Sequence, residues 1–207
     1  MRIGLFGGTF DPPHRGHLAV ATAVRERFAL DRVLLAPAAV QPLKPDGAEA
    51  SFAQRLRMAE LLCAGHPGLE ASAIDGPQPD GAPNYTIATL ARLRASLPAA
   101  AEISVIAELF VIVGADAFLG LRRWKNPEAL LDQARWIVVA RPGFDLRSLD
   151  AMGLTPPQRA RVESLNDLVN PVSATAVRER LHDREEAAGL VPPNVLAYIR
   201  AQHLYGT

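Results

Sequence analysis

Short apolar runs alternate along the chain with longer stretches of helical periodicity, and this alternation limits the fold more than any other feature. Strands that are apolar on both faces belong to parallel sheets that helices cover on both sides. The sequence therefore predicts an α/β fold with a doubly wound parallel sheet. The runs that predict its strands are Arg2–Phe6, Arg32–Ala36, Leu69–Asp75, Ile103–Gly114 and Arg135–Ala140, of which Leu69–Asp75 is the weakest.

The segments between these runs have the three-to-four-residue spacing of amphipathic helices. Ser51 and Gln54 form the pattern of a capping box, in which each residue satisfies a backbone N–H of the first helical turn. Residues 144–170 follow neither period and are expected to be irregular. The predicted helices are His17–Phe28, Ser51–Cys63, Tyr85–Leu97 and a segment that begins at Asn126, with Pro127 in the first position.

The end of the chain predicts a small helical part. Ser173–Tyr205 reads as two helices that are separated at Gly189 and the prolines that follow it. No change in composition marks a second domain. We therefore predict a single domain over the whole chain, 1–207, with an α/β core at 1–170 and a C-terminal helical part at 171–207 that packs on the sheet.

Charge and cysteine content exclude several classes of protein. Lys and Arg number 22, as do Asp and Glu, so the formal net charge is zero and a general nucleic-acid binder is not expected. The single cysteine, Cys63, excludes an internal disulfide and a multi-cysteine metal site, and we expect it to be buried. The N-terminus lacks the pattern of a signal peptide, and the most apolar stretch, Leu109–Ala115, is too short to span a membrane. We expect a cytoplasmic protein with no membrane partner; the oligomeric state stays open, a homo-oligomer included.

The loop after the first strand, Gly7–His17, has the sequence GGTFDPPHRGH and carries the strongest chemical signal. Gly7 and Gly8 allow close approach of a ligand to the backbone. His14 and His17 lie three residues apart at the start of a helix, where free N–H groups and the helix dipole favour phosphate. A helix cap or a metal-binding pair is the alternative. The chain lacks a P-loop, a G-x-G-x-x-G after the first strand and a G-x-S-x-G motif.

Six segments, in order and over nearly the whole chain, resemble one family of enzymes. The loop GGTFDPPHRGH is similar to the signature of the H-x-G-H nucleotidyltransferase superfamily. The segments PNYTIATL and VIVGADAFLGLRRWKNPEALL are the more specific ones, and they resemble the bacterial nicotinate-mononucleotide adenylyltransferases. The resemblance implies a Rossmann-like nucleotidyltransferase fold. The six segments are Gly7–His17, Pro83–Leu90, Val111–Leu131, Ala134–Phe144, Val172–Leu181 and Leu190–Tyr205.

The family implies an adenylyl transfer from ATP to the 5′-phosphate of nicotinate mononucleotide, which yields the deamido dinucleotide and pyrophosphate in NAD biosynthesis. It also implies Mg²⁺ that is bound mainly through the ATP phosphates, with few protein ligands. Two alternatives stay open. One is pantetheine-phosphate adenylyltransferase, which shares the chemistry, and the other is a nucleotide sensor on the same fold without catalytic activity.

The resemblance also assigns roles to residues of this sequence. The catalytic residues would be His14, His17 and Arg178, with His17 as the principal contact to the α-phosphate. ATP and its phosphates would contact Gly7, Gly8, Thr9, Phe10, Lys44, Gly114, Asp116, Ser173 and Thr175. Nicotinate mononucleotide would contact Tyr85, Thr86, Trp124 and Arg141. The helix start at Tyr85 and Thr86, where we expect no acidic side chain nearby, favours the nicotinate carboxylate over an amide.

Several of these residues have an ordinary structural alternative. Arg178 could form a surface ion pair, Asp116 could cap a helix, and Trp124 could be core packing. Lys44 could be simply solvated. The sequence departs from the family pattern at four places. These are Gln41-Pro42-Leu43-Lys44 without the usual histidine, Gln54 in place of histidine, Ala88 in place of aspartate, and the segment Ala99–Glu108, which is longer than usual before the fourth strand.

Overall fold

The computed structural model describes residues 1–43, 47–97, 107–140, 147–166, 168 and 172–207. The strands of the described chain are β1 (Arg2–Gly8), β2 (Arg32–Pro37), β3 (Leu69–Ala71), β4 (Glu108–Gly114), β5 (Arg135–Val139) and β6 (Val162–Leu165). Its α-helices are α1 (Arg15–Arg27), α2 (Phe52–Cys63), α3 (Thr86–Ala95), α4 (Ala115–Leu119), α5 (Pro127–Gln133), α6 (Arg147–Asp150), α7 (Pro156–Arg159), α8 (Ala174–His182) and α9 (Pro193–Ala201).

The six strands form one sheet in the order β3-β2-β1-β4-β5-β6, and every pair is parallel. The strand order reverses between β1 and β4, where Phe6 lies opposite Ile112. A crevice opens beyond the carboxyl ends of the strands at such a reversal, and ligands of open α/β sheets bind there. The predicted fold class is confirmed, and the loops after Gly8 and Gly114 adjoin this crevice.

Alternate residues of each central strand enter two different hydrophobic cores. In β4, Phe110 and Ile112 pack on one face, and Leu109, Val111 and Val113 pack on the other. Because both faces are covered, the central strands are polar only at their first residue, and this is why the sequence shows continuous apolar runs. The first core also contains residues of α1, α2, α8 and α9, and the second contains residues of α3, α4 and α5.

Two helices begin where the local sequence signals predict. Ser51 and Gln54 make the predicted reciprocal cap, with hydrogen bonds of 3.3 and 2.9 Å. Asn126 occupies the cap position of α5, as predicted. Its backbone is left-handed (φ 52°) and its side chain makes no capping bond, so it turns the chain into α5 through its backbone. Pro127 occupies the first turn as predicted.

Two sequence expectations are corrected by the structure. The strand expected at Leu69–Asp75 ends at Ala71, because the Ser72 side chain accepts the Ile74 N–H and begins a 3₁₀ turn. Residues 144–170 were expected to be irregular, but their described part contains α6, α7 and β6. β6 lies at the sheet edge, and only Val162 and Leu165 of its four residues are buried, so its apolar signal was too short to recognise.

Several other predictions concern packing. The C-terminal helices α8 and α9 are present, and Val177 and Ile199 pack in the same core as α1 and α2. The limits that we predicted for the domain and its helical part stay a prediction. Cys63 is buried, as expected. Within the described chain, no helix has the length and apolar character needed to cross a membrane.

Candidate active site

The loop that joins β1 to α1 is shaped around a buried aromatic side chain. Phe10 has a left-handed backbone (φ 51°) and is 2% exposed. A Cβ atom on Gly8 would lie 3.1 Å from the Phe10 ring, whereas one on Gly7 would meet no atom within 4 Å. Gly8 is therefore needed for packing within the protein, and the backbone at Gly7 is open to a ligand.

The two histidines of the loop lie against each other at the start of α1. Their ring centroids are 3.8 Å apart, and the His14 backbone N–H donates to His17 Nδ1 at 3.2 Å. Since Nδ1 accepts this bond, a neutral His17 ring carries its proton on Nε2. The Phe10 ring, with its centroid 4.7 Å from that of His17, fixes the imidazole from another side. His17 therefore has a hydrogen-bond donor of defined position.

His14 is buried more completely than its partner. The side chain is only 5% exposed, and burial lowers the pKa of its imidazole to about 4. Its Nδ1 atom is buried and has no hydrogen-bond partner in the described chain. His14 is therefore neutral near pH 7 in the free protein. The described residues contain no group of three or more His, Cys, Asp or Glu side chains that could hold a metal ion.

A buried carboxylate anchors the same loop. Asp11 is 4% exposed, and its Oδ1 accepts the Tyr205 hydroxyl at 2.6 Å and the Ala50 N–H at 3.1 Å. Its Oδ2 accepts the Glu49 N–H at 2.7 Å. Its main-chain carbonyl accepts Arg178 Nη1 at 2.7 Å. We call the segment Gly7–His17 the phosphate loop, after the ligand that the sequence predicts for it. Asp11 joins this loop to the loop before α2, to α8 and to the last residues of the chain.

Arg55 of α2 donates a hydrogen bond to the backbone of this loop, and the sequence analysis did not predict this role. The side chain is 2% exposed. Its Nη1 donates to the carbonyls of Thr9 at 2.7 Å and Ala38 at 2.8 Å, and its Nε donates to Ala50 at 3.1 Å. Arg55 occupies the buried side of α2, one helical turn before the buried Met58. An arginine in phase with a buried helix face was the signal that could have identified it.

Arg178, the predicted phosphate ligand, does reach the phosphate loop. Its Nε pairs with Glu49 Oε1 at 2.6 Å while Nη1 contacts Asp11. Ser173 caps α8 by accepting the Ala176 N–H at 3.2 Å. We call the cavity beside Arg178 the triphosphate cavity; it is lined by Glu49, Thr175, Arg178, Glu179, His182, Asp183, Tyr205 and Gly206. The alternative for Arg178 was an ion pair with a residue one turn away on its own helix; the pair in the structure is instead with Glu49 from the loop before α2.

A second cavity, which we call the mononucleotide cavity, extends from Gly7 and Gly8 to the start of α3. Trp124 and Tyr85 line it, together with Thr86. Trp124 is half-buried and packs edge-on against Trp136, so the core packing that we considered as its alternative is present. Its stacking on a ligand stays a prediction. Tyr85 stands at the cap position of α3 and makes no side-chain capping bond. Lys125 Nζ lies 4.3 Å from the centroid of the Tyr85 ring.

The expectation of no acidic side chain near the start of α3 is wrong. Asp75 lines the mononucleotide cavity, although it lies ten residues before Tyr85 in sequence. Its Oδ1 accepts the Thr89 hydroxyl at 2.5 Å and Arg92 Nη2 at 3.4 Å. Burial raises the pKa of Asp75, and the bonds from Thr89, Arg92 and Asn84 oppose that shift. The carboxylate is thus already engaged by neighbouring donors.

The remaining predicted site residues do not line either cavity or lie outside the described residues. Gly114 occupies the cap position of α4 and Asp116 lies in its first turn, so the aspartate does not cap the helix. Both are exposed, Gly114 as the last residue of β4 and Asp116 two residues after it. The Thr9 hydroxyl donates to Gln41 Oε1 at 3.0 Å, which links the phosphate loop to one of the sequence departures. Neither cavity is lined by His14 or His17. Lys44 and Arg141 lie outside the described residues.

Comparisons with known proteins found a matching family model and relatives over the full length of the chain. The family model described as cytidylyltransferase-like matches residues 5–180. The chain is 36% identical to a "probable nicotinate-nucleotide adenylyltransferase" of Desulfatibacillum aliphaticivorans, over 99% of this chain and 100% of that protein. It is 39% identical to the protein of the same name from Gloeobacter violaceus, over 99% and 96%.

Solved structures show the same fold at much lower identity. The "Plasmodium falciparum nicotinic acid mononucleotide adenylyltransferase complexed with NaAD" superposes with a TM-score of 0.74 at 14% identity, covering 99% of this chain and 97% of that one. A putative nicotinate-nucleotide adenylyltransferase of Vibrio parahaemolyticus gives 0.65 at 18% identity, covering 99% and 95%. The sheet, the H-x-G-H loop and the full-length relatives together place this chain in the cytidylyltransferase-like family, among the nicotinate-nucleotide adenylyltransferases.

Proposed function

We propose that this chain transfers the adenylyl group of ATP to the 5′-phosphate of nicotinate mononucleotide, giving nicotinate adenine dinucleotide and pyrophosphate. The observation that carries the proposal is the position of the Gly7–His17 loop. Gly7 and Gly8 line the mononucleotide cavity, and Asp11 binds Arg178 and Tyr205 of the triphosphate cavity. A loop that touches both cavities is suited to a reaction between two phosphorylated substrates. The names of the full-length relatives support the same choice.

The reaction requires charge stabilisation more than proton transfer. A phosphate oxygen of the mononucleotide forms a bond to the α-phosphorus of ATP, and the bond from that phosphorus to the oxygen bridging to the β-phosphate breaks. The attacking phosphate is already ionised near pH 7, so a general base is not needed. The barrier comes from bringing two anions together and from charge on the α-phosphoryl group, which fixed hydrogen-bond donors lower.

The histidines supply such donors. His17 would donate from Nε2 to the α-phosphate, because its Nδ1 is held by the His14 N–H. His14 enters the reaction neutral, since burial lowers its pKa to about 4 in the free protein. A bound phosphate would raise that pKa, because a neighbouring negative charge favours the protonated ring. The backbone at Gly7 would approach the phosphates without a steric obstacle.

Arg178 would bind the β- or γ-phosphate of ATP. Its Nη1 is held by the Asp11 carbonyl, while its Nε pairs with Glu49, whose carboxylate is exposed. We expect the triphosphate to replace Glu49 at Nε, because an exposed ion pair contributes little and phosphate brings more charge. Thr175, which lines the same cavity, would donate its hydroxyl.

Mg²⁺ would enter this site bound to ATP, because the nearby protein residues offer few ligands. Asp11 is buried and already accepts hydrogen bonds at both carboxylate oxygens, so it is not available to the ion. We therefore propose that phosphate oxygens and water supply most of the ligands of the ion. When bound, Mg²⁺ offsets negative charge on the phosphates and on the pyrophosphate leaving group.

The mononucleotide cavity favours a flat acidic ring. Trp124 offers an aromatic face for stacking, and the start of α3 at Tyr85 and Thr86 offers free backbone N–H groups to a carboxylate. Asp75 does not compete for these groups, since Thr89 and Arg92 already hold its carboxylate. Nicotinate mononucleotide is therefore preferred over its amide. A cytoplasmic location stays a prediction, as does the possibility of a homo-oligomer.

The test is pyrophosphate release from ATP by the purified chain with three acceptors offered separately. We expect rapid release with nicotinate mononucleotide, slower release with nicotinamide mononucleotide and none with 4′-phosphopantetheine. Release with 4′-phosphopantetheine alone would establish the alternative adenylyltransferase. Binding of ATP without release for any acceptor would support the sensor. Identification of the dinucleotide product by mass spectrometry confirms which bond has formed.

A further inference from the structure

Tyr205, two residues before the last one, makes a buried contact with the phosphate loop. The side chain is 7% exposed, and its hydroxyl donates to Asp11 Oδ1 at 2.6 Å. Burial, reinforced by Asp11, raises the pKa of the Tyr205 hydroxyl, so it remains a donor at every ordinary pH. The two residues are 194 positions apart in sequence, so the bond fixes one end of the fold against the other.

The backbone around Tyr205 is held in an unfavourable conformation. His203 (φ 48°), Tyr205 (φ 58°) and Gly206 (φ 81°) all lie in the left-handed region, which is costly for residues other than glycine. The Thr207 hydroxyl contacts the carbonyls of Leu204 at 2.9 Å and Ile199 at 3.4 Å, so it ties the turn to α9. Such strain persists only where the surrounding structure fixes the side chain in one place.

The same turn lies against the helix that carries Arg178. A Cβ atom on Gly206 would come within 3.1 Å of the His182 ring, and Tyr205 and Arg178 line the triphosphate cavity together. Arg178 is held at Nη1 by the carbonyl of Asp11, the residue whose carboxylate receives the tyrosine hydroxyl. The position of Arg178 therefore depends on the orientation of Asp11.

Removal of the Tyr205 hydroxyl would leave the Asp11 carboxylate with two hydrogen bonds, both from backbone N–H groups. Oδ1 would keep only the Ala50 N–H at 3.1 Å, and Oδ2 would keep the Glu49 N–H. Both donors belong to the loop before α2, so nothing would then tie Asp11 directly to the end of the chain. A charge-assisted hydrogen bond of 2.6 Å is one of the strong kind, and its loss leaves a buried carboxylate under-satisfied.

We propose that Tyr205 is a positioning residue for the triphosphate of ATP, acting through Asp11 on Arg178 and on the phosphate loop. The inference rests on the proposed function and extends it to a residue outside the motifs. It predicts an effect on ATP and little effect on the acceptor. Tyr205 lines the triphosphate cavity and is absent from the lining of the mononucleotide cavity.

The test is Tyr205→Phe, which removes one oxygen atom and keeps the ring. We expect the dissociation constant for ATP, measured by calorimetry without acceptor, to rise about tenfold, and kcat/KM for ATP to fall by a similar factor. The KM for nicotinate mononucleotide should stay within about twofold. Tyr198→Phe is the matched control, because this tyrosine lies in α9 and is partly buried against the same core. It should leave both constants unchanged.

The outcomes separate a positioning role from a merely structural one. A lower melting temperature with wild-type ATP affinity and kcat in folded Tyr205→Phe would overturn the proposal, as would equal loss for both substrates. If the variant does not fold, Gly206→Ala, which strains the same turn and keeps the hydroxyl, is judged by the same two criteria. Calorimetry needs no acceptor, so it decides this proposal even if wild-type protein fails the pyrophosphate test.

Discussion

Replacement of Arg55 by methionine tests whether the phosphate loop is held by a buried cation. Methionine keeps most of the apolar stem and removes the guanidinium. The three carbonyls of Thr9, Ala38 and Ala50 would lose their donors. Burial lowers the pKa of Arg55, and the nearby charge of Asp11 opposes that shift, so the arginine also compensates a buried carboxylate.

The expected cost follows from these contacts. Removing one member of a buried, hydrogen-bonded charge arrangement costs about 3–5 kcal/mol, because the groups left behind stay desolvated. For a chain of this size, each kcal/mol lowers the melting temperature by about 2–4 °C. Arg55→Met should therefore melt about 6–20 °C below wild type. The apolar packing of α2 through Met58 and Leu62 should persist.

The assay is urea unfolding followed by circular dichroism at 25 °C, together with thermal melting. Arg57→Met is the control on the same helix, since its exposed guanidinium pairs with Glu60 at 2.8 Å and should contribute less than about 1 kcal/mol. A loss of less than about 1 kcal/mol in Arg55→Met, with an unchanged urea dependence of the unfolding free energy, would refute the reasoning.

Three further predictions concern the site itself. His17→Ala should lower kcat for pyrophosphate release at least about a hundredfold, the range for loss of one charge-stabilising donor, and near-normal turnover would exclude its role. His14 has its pKa lowered to about 4, so the unfolded chain binds the extra proton between about pH 6.5 and 4, and stability falls as pH decreases through that range, by about 3 kcal/mol. In urea unfolding, the stability of His14→Asn should fall less than that of wild type over the same pH range. Stability curves of the two proteins that run parallel with pH would contradict the role given to His14. Trp124→Ala should raise the KM for nicotinate mononucleotide about tenfold while the KM for ATP is unchanged, and an equal rise in both would argue against stacking.

Sequence patterns predicted the parts of the fold that repeat a simple period. β1, β2, β4 and β5 are buried on both faces, so each left an apolar run that could be recognised. β6 did not, because an edge strand of four residues with two polar ones resembles a loop. The phosphate loop was recognised because its motif is contiguous in sequence.

The supports of the site were missed because they depend on tertiary contacts. Arg55 and Tyr205 approach the loop from α2 and from the end of the chain, and no local pattern joins either of them to Asp11. Asp75 reaches the start of α3 across a stretch rich in proline and glycine, so its proximity to Tyr85 could not be inferred from spacing. Local motifs predicted which residues contact substrate, whereas only the fold shows what holds those residues in place.

The central claim is that the imidazole pair at the start of α1 meets the α-phosphate of ATP. A crystal structure with a non-hydrolysable ATP analogue and nicotinate mononucleotide tests it most directly. We predict an α-phosphate oxygen about 3 Å from His17 Nε2, with the acceptor phosphate on the opposite side of the phosphorus. An α-phosphate that contacts neither His14 nor His17 in such a complex would contradict the account.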